Sequence, residues 1–180
     1  PSVFSTTNGG VVIQAVKDVV AGGAMYFSSA GNSGNLNDGT SGTWEGDFLD
    51  GGATGGLQRS GRLHNFGGQA YDVLTAGSSL INLYWADPLG GSSNDYDLYR
   101  FDSTGTTLLS ASTNFQTGTE DPYEQVTAGS AGNRIVVVKY AGAGRYLHLA
   151  TNRGRLSIAT AGQIHGHAAT SAANSFGVAA

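Results

Sequence analysis

The chain has 180 residues, 39% of them hydrophobic and only 12% charged, with a formal net charge of −4 and no cysteine. Its nine basic residues are scattered, which argues against nucleic-acid or anionic-membrane binding. No apolar run reaches the roughly 20 residues of a membrane span, and disulfides and thiolate metal sites are excluded. The 29 glycines are interleaved with Val, Ile, Leu, Tyr and Phe clusters, so the composition implies a turn-rich, mainly β protein rather than a disordered chain.

Residues 10–22 read as a helix, because Val12, Ile13, Val16, Val19 and Val20 recur at the spacing of one buried stripe. Thr7 or Asn8 supplies a cap at its start, and Gly22 or Gly23 a stop. Residues 24–30 then read as a short buried strand of the kind found in parallel sheets. From Asn32 to about Gly56 the composition turns to Gly, Asn, Asp and Thr, broken by Trp44, Phe48 and Leu49, and predicts a loop or linker. Between Arg62 and Thr160 short runs recur at 70–74, 79–85, 97–102, 107–111, 124–127, 134–139, 146–151 and 155–160. Turn residues separate them, as in a β-sandwich or jelly roll. Residues 176–180 read as a further buried strand.

Two stretches carry resemblances. The helix, strand and turn from Gln14 to Gly34, ending Ser28-Ser-Ala-Gly-Asn32-Ser-Gly34, resemble the corresponding unit of subtilisin-like serine proteases. The resemblance implies that Asn32 is the oxyanion-hole side chain, with Ser28, Ser29 and Gly31 shaping the substrate channel. A side-chain amide held on such a turn is suited to donate to a developing oxyanion. The segment from Gln163 to Ala180 resembles the part of the same family that follows the oxyanion Asn after a short loop. Here more than a hundred residues intervene, which implies an inserted domain. Within them, Leu80–Asp87 and Asn94-Asp-Tyr-Asp-Leu-Tyr-Arg-Phe-Asp102 resemble the pre-peptidase C-terminal type of β-sandwich found on secreted bacterial proteases.

Other motifs are weaker. Ser41, in Gly39-Thr-Ser-Gly42, departs from the family's nucleophile pattern after the serine and follows Asn32 too closely. His165-Gly-His167 is one residue short of the family's histidine signature and lies on the wrong side of Asn32; as a metal pair it lacks nearby partners. The triad Asp and His are therefore expected before Pro1, and the Ser after Ala180. Asp87, Asn94, Asp95, Asp97 and Asp102 form an oxygen-rich group, and calcium seeks such ligands. Asp87, Asp95 and Asp97 are the candidate calcium ligands, against the alternative of solvated turn carboxylates. Glu120, Asp121 and Glu124 read as a plain surface loop, as do Asp38, Glu45, Asp47 and Asp50. Tyr84, Trp85, Tyr96 and Tyr99 read first as core, with an aromatic binding face as the alternative.

The expected organisation is mainly β: an inserted β-sandwich or jelly roll at 44–162, flanked by a helix and strands of a discontinuous subtilisin-like α/β domain at 1–43 and 163–180. The expected function is part of a secreted bacterial serine endopeptidase acting on protein or peptide substrates. The chain alone is expected to be inactive, to require no cofactor, and to self-associate through an apolar stripe of Val12, Val16 and Val19. The alternatives are a β-sandwich module that binds protein or polysaccharide, and a calcium-stabilised spacer.

Overall fold

A computed structural model describes residues 10–31, 33–161 and 174–178. The chain is mainly β, with 45% strand and 6% helix. In chain order the elements are α1 (Gly10–Ala21), β1 (Tyr26–Ser29), β2 (Thr43–Asp47), β3 (Asp50–Ala53), β4 (Arg62–His64), β5 (Asp72–Ala76) and β6 (Ser78–Trp85). They continue with β7 (Asp95–Phe101), β8 (Leu108–Ser112), β9 (Tyr123–Gly129), β10 (Arg134–Ala141), β11 (Tyr146–Ala150), β12 (Arg155–Leu156) and β13 (Ser175–Val178).

The helix forms where the valine spacing predicts it, and it ends at the glycine pair: the Gly22 and Gly23 amides donate to Asp18 and Val20 carbonyls. Val16 and Val20, one turn apart, are buried. Val19 departs from the expected stripe and is 51% exposed, because it sits on the helix shoulder, beyond what the small neighbouring sheet covers. That sheet consists of β1 and β13 alone among the described residues, paired in parallel from Tyr26↔Ser175 to Ser29↔Val178. Neither strand is buried as expected. Phe27, Phe176 and Val178 are 58%, 42% and 54% exposed. Phe27 and Phe176 stack on each other at 5.2 Å instead of beneath a covering layer.

The rest is a two-sheet sandwich. One sheet has four strands in the order β2-β11-β6-β9. The other has seven, centred on β10. β10 pairs with β7 along one edge, while β4 and β5 share its other edge in tandem. Alternation along the strands puts one residue in two between the sheets. From the four-stranded sheet come Trp44, Ile81, Leu83, Trp85, Val126, Leu147 and Leu149. From the other come Leu74, Tyr96, Leu98, Ile135, Val137 and Leu156, and together they form one cluster.

The segment expected to be a linker is part of this structure. Its glycine content masks β2 and β3, and Trp44 on β2 is only 8% exposed. Across the second sheet the outward face of β7 and β10 carries a smaller cluster, Tyr99, Phe101 and Val138, against which Leu57, Leu63, Leu108 and Val136 pack. Residues 54–61, between β3 and β4, run over this outer face.

Candidate functional site

Asn32, His165 and His167 lie outside the described residues, as do Thr7 and Asn8. The chain on either side of Asn32 is tied down. Ser29 Oγ, at the end of β1, accepts from the Gly31 amide at 3.1 Å. The Ser33 carbonyl accepts from the Gly42 amide at 2.7 Å. Gly34 approaches the backbone so closely that a Cβ there would lie 1.9 Å from the Thr40 carbonyl oxygen, so no other residue fits. Ser41 is buried, and its hydroxyl donates to the Thr160 carbonyl at 2.8 Å. It closes the junction between β2 and the end of the sandwich.

The candidate calcium ligands fall into two separate arrangements, each with an arginine. Asp87 accepts from Arg145 Nε at 2.7 Å, from Asn94 Nδ2 at 2.8 Å and from Ser92 Oγ at 2.9 Å. Burial works to raise the Asp87 pKa, but these donors outweigh it and hold the carboxyl below its usual range. Asp97 and Asp95 share Arg59, at 2.6 and 3.3 Å. Burial pushes Asp97 up to about 6 against the pull of Arg59 and a hydrogen bond from Tyr99. Arg59 itself lies between two aromatic rings, 4.0 Å from the centre of Phe115 and 3.8 Å from that of Tyr140. Among the described residues no group of three or more His, Cys, Asp or Glu is placed to hold a metal ion.

Two buried polar groups escape a sequence reading. Glu124, expected on a surface loop, is fully buried on β9. It accepts from Ser112 Oγ, from the Asn114 amide at 2.9 Å and from Gln116 Nε2 at 3.0 Å. Burial raises its pKa, and the donors oppose that. The loop 112–116 is thereby fastened over the end of β9. The period-2 pattern with Val126 is the signal that could have revealed it. His64 ends β4 inside a cage of Trp44, Phe48 and Phe66. Its Nδ1 accepts from the Leu49 amide at 3.2 Å, while Nε2 has no partner among the described residues. Burial pushes it down to about 4, so it is neutral at pH 7, and its position in the core rules it out as a base for any substrate.

Of the four aromatic residues considered for a binding face, Trp85, Tyr96 and Tyr99 are core, whereas Tyr84 is 40% exposed. Strand register explains the split. Tyr84 lies opposite His148 and Tyr123, and His148 lies opposite Glu45. Glu45, His148, Tyr84 and Tyr123 thus form one row across all strands of the four-stranded sheet, on its outer face. His148 Nδ1 and Glu45 Oε1 are 2.6 Å apart. The Tyr84 ring centre is 4.8 Å from that of Tyr123 and 6.0 Å from that of His148. Tyr146 stands beside the row and is 43% exposed. Glu45, Tyr84, Tyr146 and His148, with Trp85 and Ala86, line a shallow cavity of about 170 Å³. Tyr123 donates to Asn82 Oδ1 at 3.1 Å and also contacts Gln125, giving the row a polar border.

Comparison of the chain with protein-family models and with curated proteins finds no match.

Proposed function

We propose that this chain is part of a subtilisin-like serine endopeptidase of the secreted bacterial type, with Asn32 as oxyanion donor and the β-sandwich as an insert beside the catalytic centre. The observation that carries the reading is the parallel pairing of β1 with β13. The two segments that resemble the protease are far apart in sequence, yet they join in one sheet with α1 against it. Parallel strands are normally covered on both faces and extended by further strands. Here Phe27, Phe176 and Val178 stand bare, which supports a larger α/β unit around them. In the intact enzyme a serine attacks the scissile carbonyl, and the Asn32 amide donates to the oxyanion of the tetrahedral intermediate. The triad belongs to segments other than these.

The test is labelling of the full natural polypeptide by a serine-directed fluorophosphonate. The intact protein should label, and the 180-residue chain alone should not. Asn32→Ala should lower kcat by about a hundred- to a thousandfold with little change in KM. An intact polypeptide that neither labels nor cleaves a denatured protein substrate would remove the proposal.

A second reading, a polysaccharide-binding module, is favoured by the row on the outer sheet face. Exposed ring faces with hydrogen-bonding groups at their edge suit an extended neutral sugar chain. Retention on an insoluble polysaccharide, lost in Tyr84→Ala, would support it; equal retention of the two proteins would count against it.

A further inference from the structure

A cavity of about 340 Å³ opens on the outer face of the seven-stranded sheet. Its apolar wall is Leu57, Leu63, Phe101 and Val136. Its polar wall is Arg134, with Thr106 close by. Arg134 projects from the central strand β10, and its guanidinium lies 4.5 Å over the ring of Tyr71. Arg59, Arg62 and Arg145 each meet a carboxylate. Arg134 makes no ion pair among the described residues. Space for the guanidinium is provided by Gly105, where the turn has φ +78° and a Cβ would come within 2.8 Å of Arg134 Nη1. A side chain at that position would crowd the charge out of the cavity.

The rim is also held in place. The Gly61 amide donates to Thr54 Oγ1 at 2.9 Å, and Arg59 fastens the same loop to Asp97. Leu57 is thereby kept against the outer cluster, while Gly55 and Gly56 border the opening with their backbone groups exposed.

We infer that this cavity binds the C-terminal residue of a peptide, with its carboxylate on the Arg134 guanidinium and a large apolar side chain among Leu57, Leu63, Phe101 and Val136. A guanidinium with no ion pair among the described residues, beside a half-buried apolar wall, complements a ligand that combines one negative charge with one hydrophobic group, and Arg can meet a carboxylate through two donors. The volume is near the lower limit of ligand cavities, which suits one residue rather than a long acyl chain. The Gly55–Gly56 backbone supplies an N–H and a C=O for the amide that precedes the terminal residue. A neutral sugar would leave the charge unused. The inference does not depend on the endopeptidase reading, since it concerns the sandwich alone.

The experiment is isothermal titration of the 180-residue chain with N-acetyl-alanyl-leucine, with the C-terminal amide of the same dipeptide, and with octanoate. The free acid should bind at least tenfold more tightly than the amide, and its affinity should fall with added salt. Arg134→Gln should lose at least tenfold toward the acid and nothing toward the amide. Val136→Phe, which fills the cavity and keeps the charge, should lose as much. Equal affinity for acid and amide, or full affinity in either variant, would overturn the proposal. Octanoate binding more tightly than the dipeptide would overturn the assignment to a peptide terminus. The two variants change different properties at neighbouring outward positions of β10, charge in one and volume in the other, so a folding defect in one leaves the other to decide.

Discussion

His64 should make the stability of this protein depend on pH in a way that one substitution removes. The imidazole is fully buried, with ring centres of Trp44 and Phe66 at 4.6 and 4.5 Å. Its ordinary pKa of 6.5 is pushed down to about 4 by burial, with the Leu49 amide a smaller opposing influence. A displacement of that size corresponds to roughly 3 kcal/mol. The sign follows from proton counting. Between pH 6.5 and 4 the unfolded chain protonates His64 and the folded chain does not, so the unfolded state binds more protons and stability rises with pH. The contribution is complete above pH 6.5, is lost as pH falls, and levels off below about pH 4.

Buried carboxylates act in the opposite direction. Burial raises Asp97, Asp72, Asp95 and Glu124, so the folded protein takes up protons at these sites before the unfolded chain does. The wild-type profile is therefore a sum of opposed slopes, and only a difference isolates His64. In His64→Phe an aromatic ring is retained and Nε2, which has no partner among the described residues, is removed. The Leu49 amide loses its acceptor at a cost of about 1 kcal/mol that does not vary with pH and so offsets the curve without changing its slope. Denaturant unfolding followed by Trp44 and Trp85 fluorescence at pH 7.5, 5.5 and 4.0 gives both curves. The stability of wild type relative to His64→Phe should fall by about 3 kcal/mol from pH 7.5 to 4.0. Parallel curves would refute the reasoning and mean that the imidazole takes up its proton in the folded state over the same pH range as in the unfolded chain.

Other outcomes follow from the same contacts. Arg59→Gln leaves Asp95 and Asp97 buried without their counter-ion and should cost about 3–5 kcal/mol at pH 8 by urea unfolding. The loss should shrink at pH 5, where Asp97, whose pKa is pushed up to about 6, is largely neutral. Trp44→Ala should cost about 3–5 kcal/mol, measured in the same way. A loss below about 1 kcal/mol would make residues 43–53 an appendage rather than part of the core. Phe27→Ser combined with Phe176→Ser should reduce self-association in sedimentation velocity without lowering the melting temperature of the sandwich. An unchanged association constant would show that the bare face of β1 and β13 is not the contact.

Local patterns carried much of the architecture. Valine spacing and a glycine pair define α1 within a residue of its observed end, because helix periodicity and termination are properties of neighbouring residues. Apolar runs between turn residues mark most strands from β5 to β11 and the mainly β class. The failures share one cause. Trp44 and β2 were hidden by glycine-rich surroundings, since local composition does not report that a partner strand a hundred residues away completes the ladder. Glu124 has a surface residue's chemistry, and only the fold brings Ser112, Asn114 and Gln116 around it. Neither Arg59 nor His64 belongs to any sequence pattern. Arg59 gains its meaning from Asp95, Asp97, Phe115 and Tyr140, His64 from its aromatic cage. The row of Glu45, His148, Tyr84 and Tyr123 likewise exists only through register. The sequence alone therefore determined the helix and most strands from β5 to β11, whose signals are local, but not β2, β3 and β4. Tertiary structure decided which charges are neutralised, which aromatics are exposed and where a cavity opens, because each depends on contacts between residues distant along the chain.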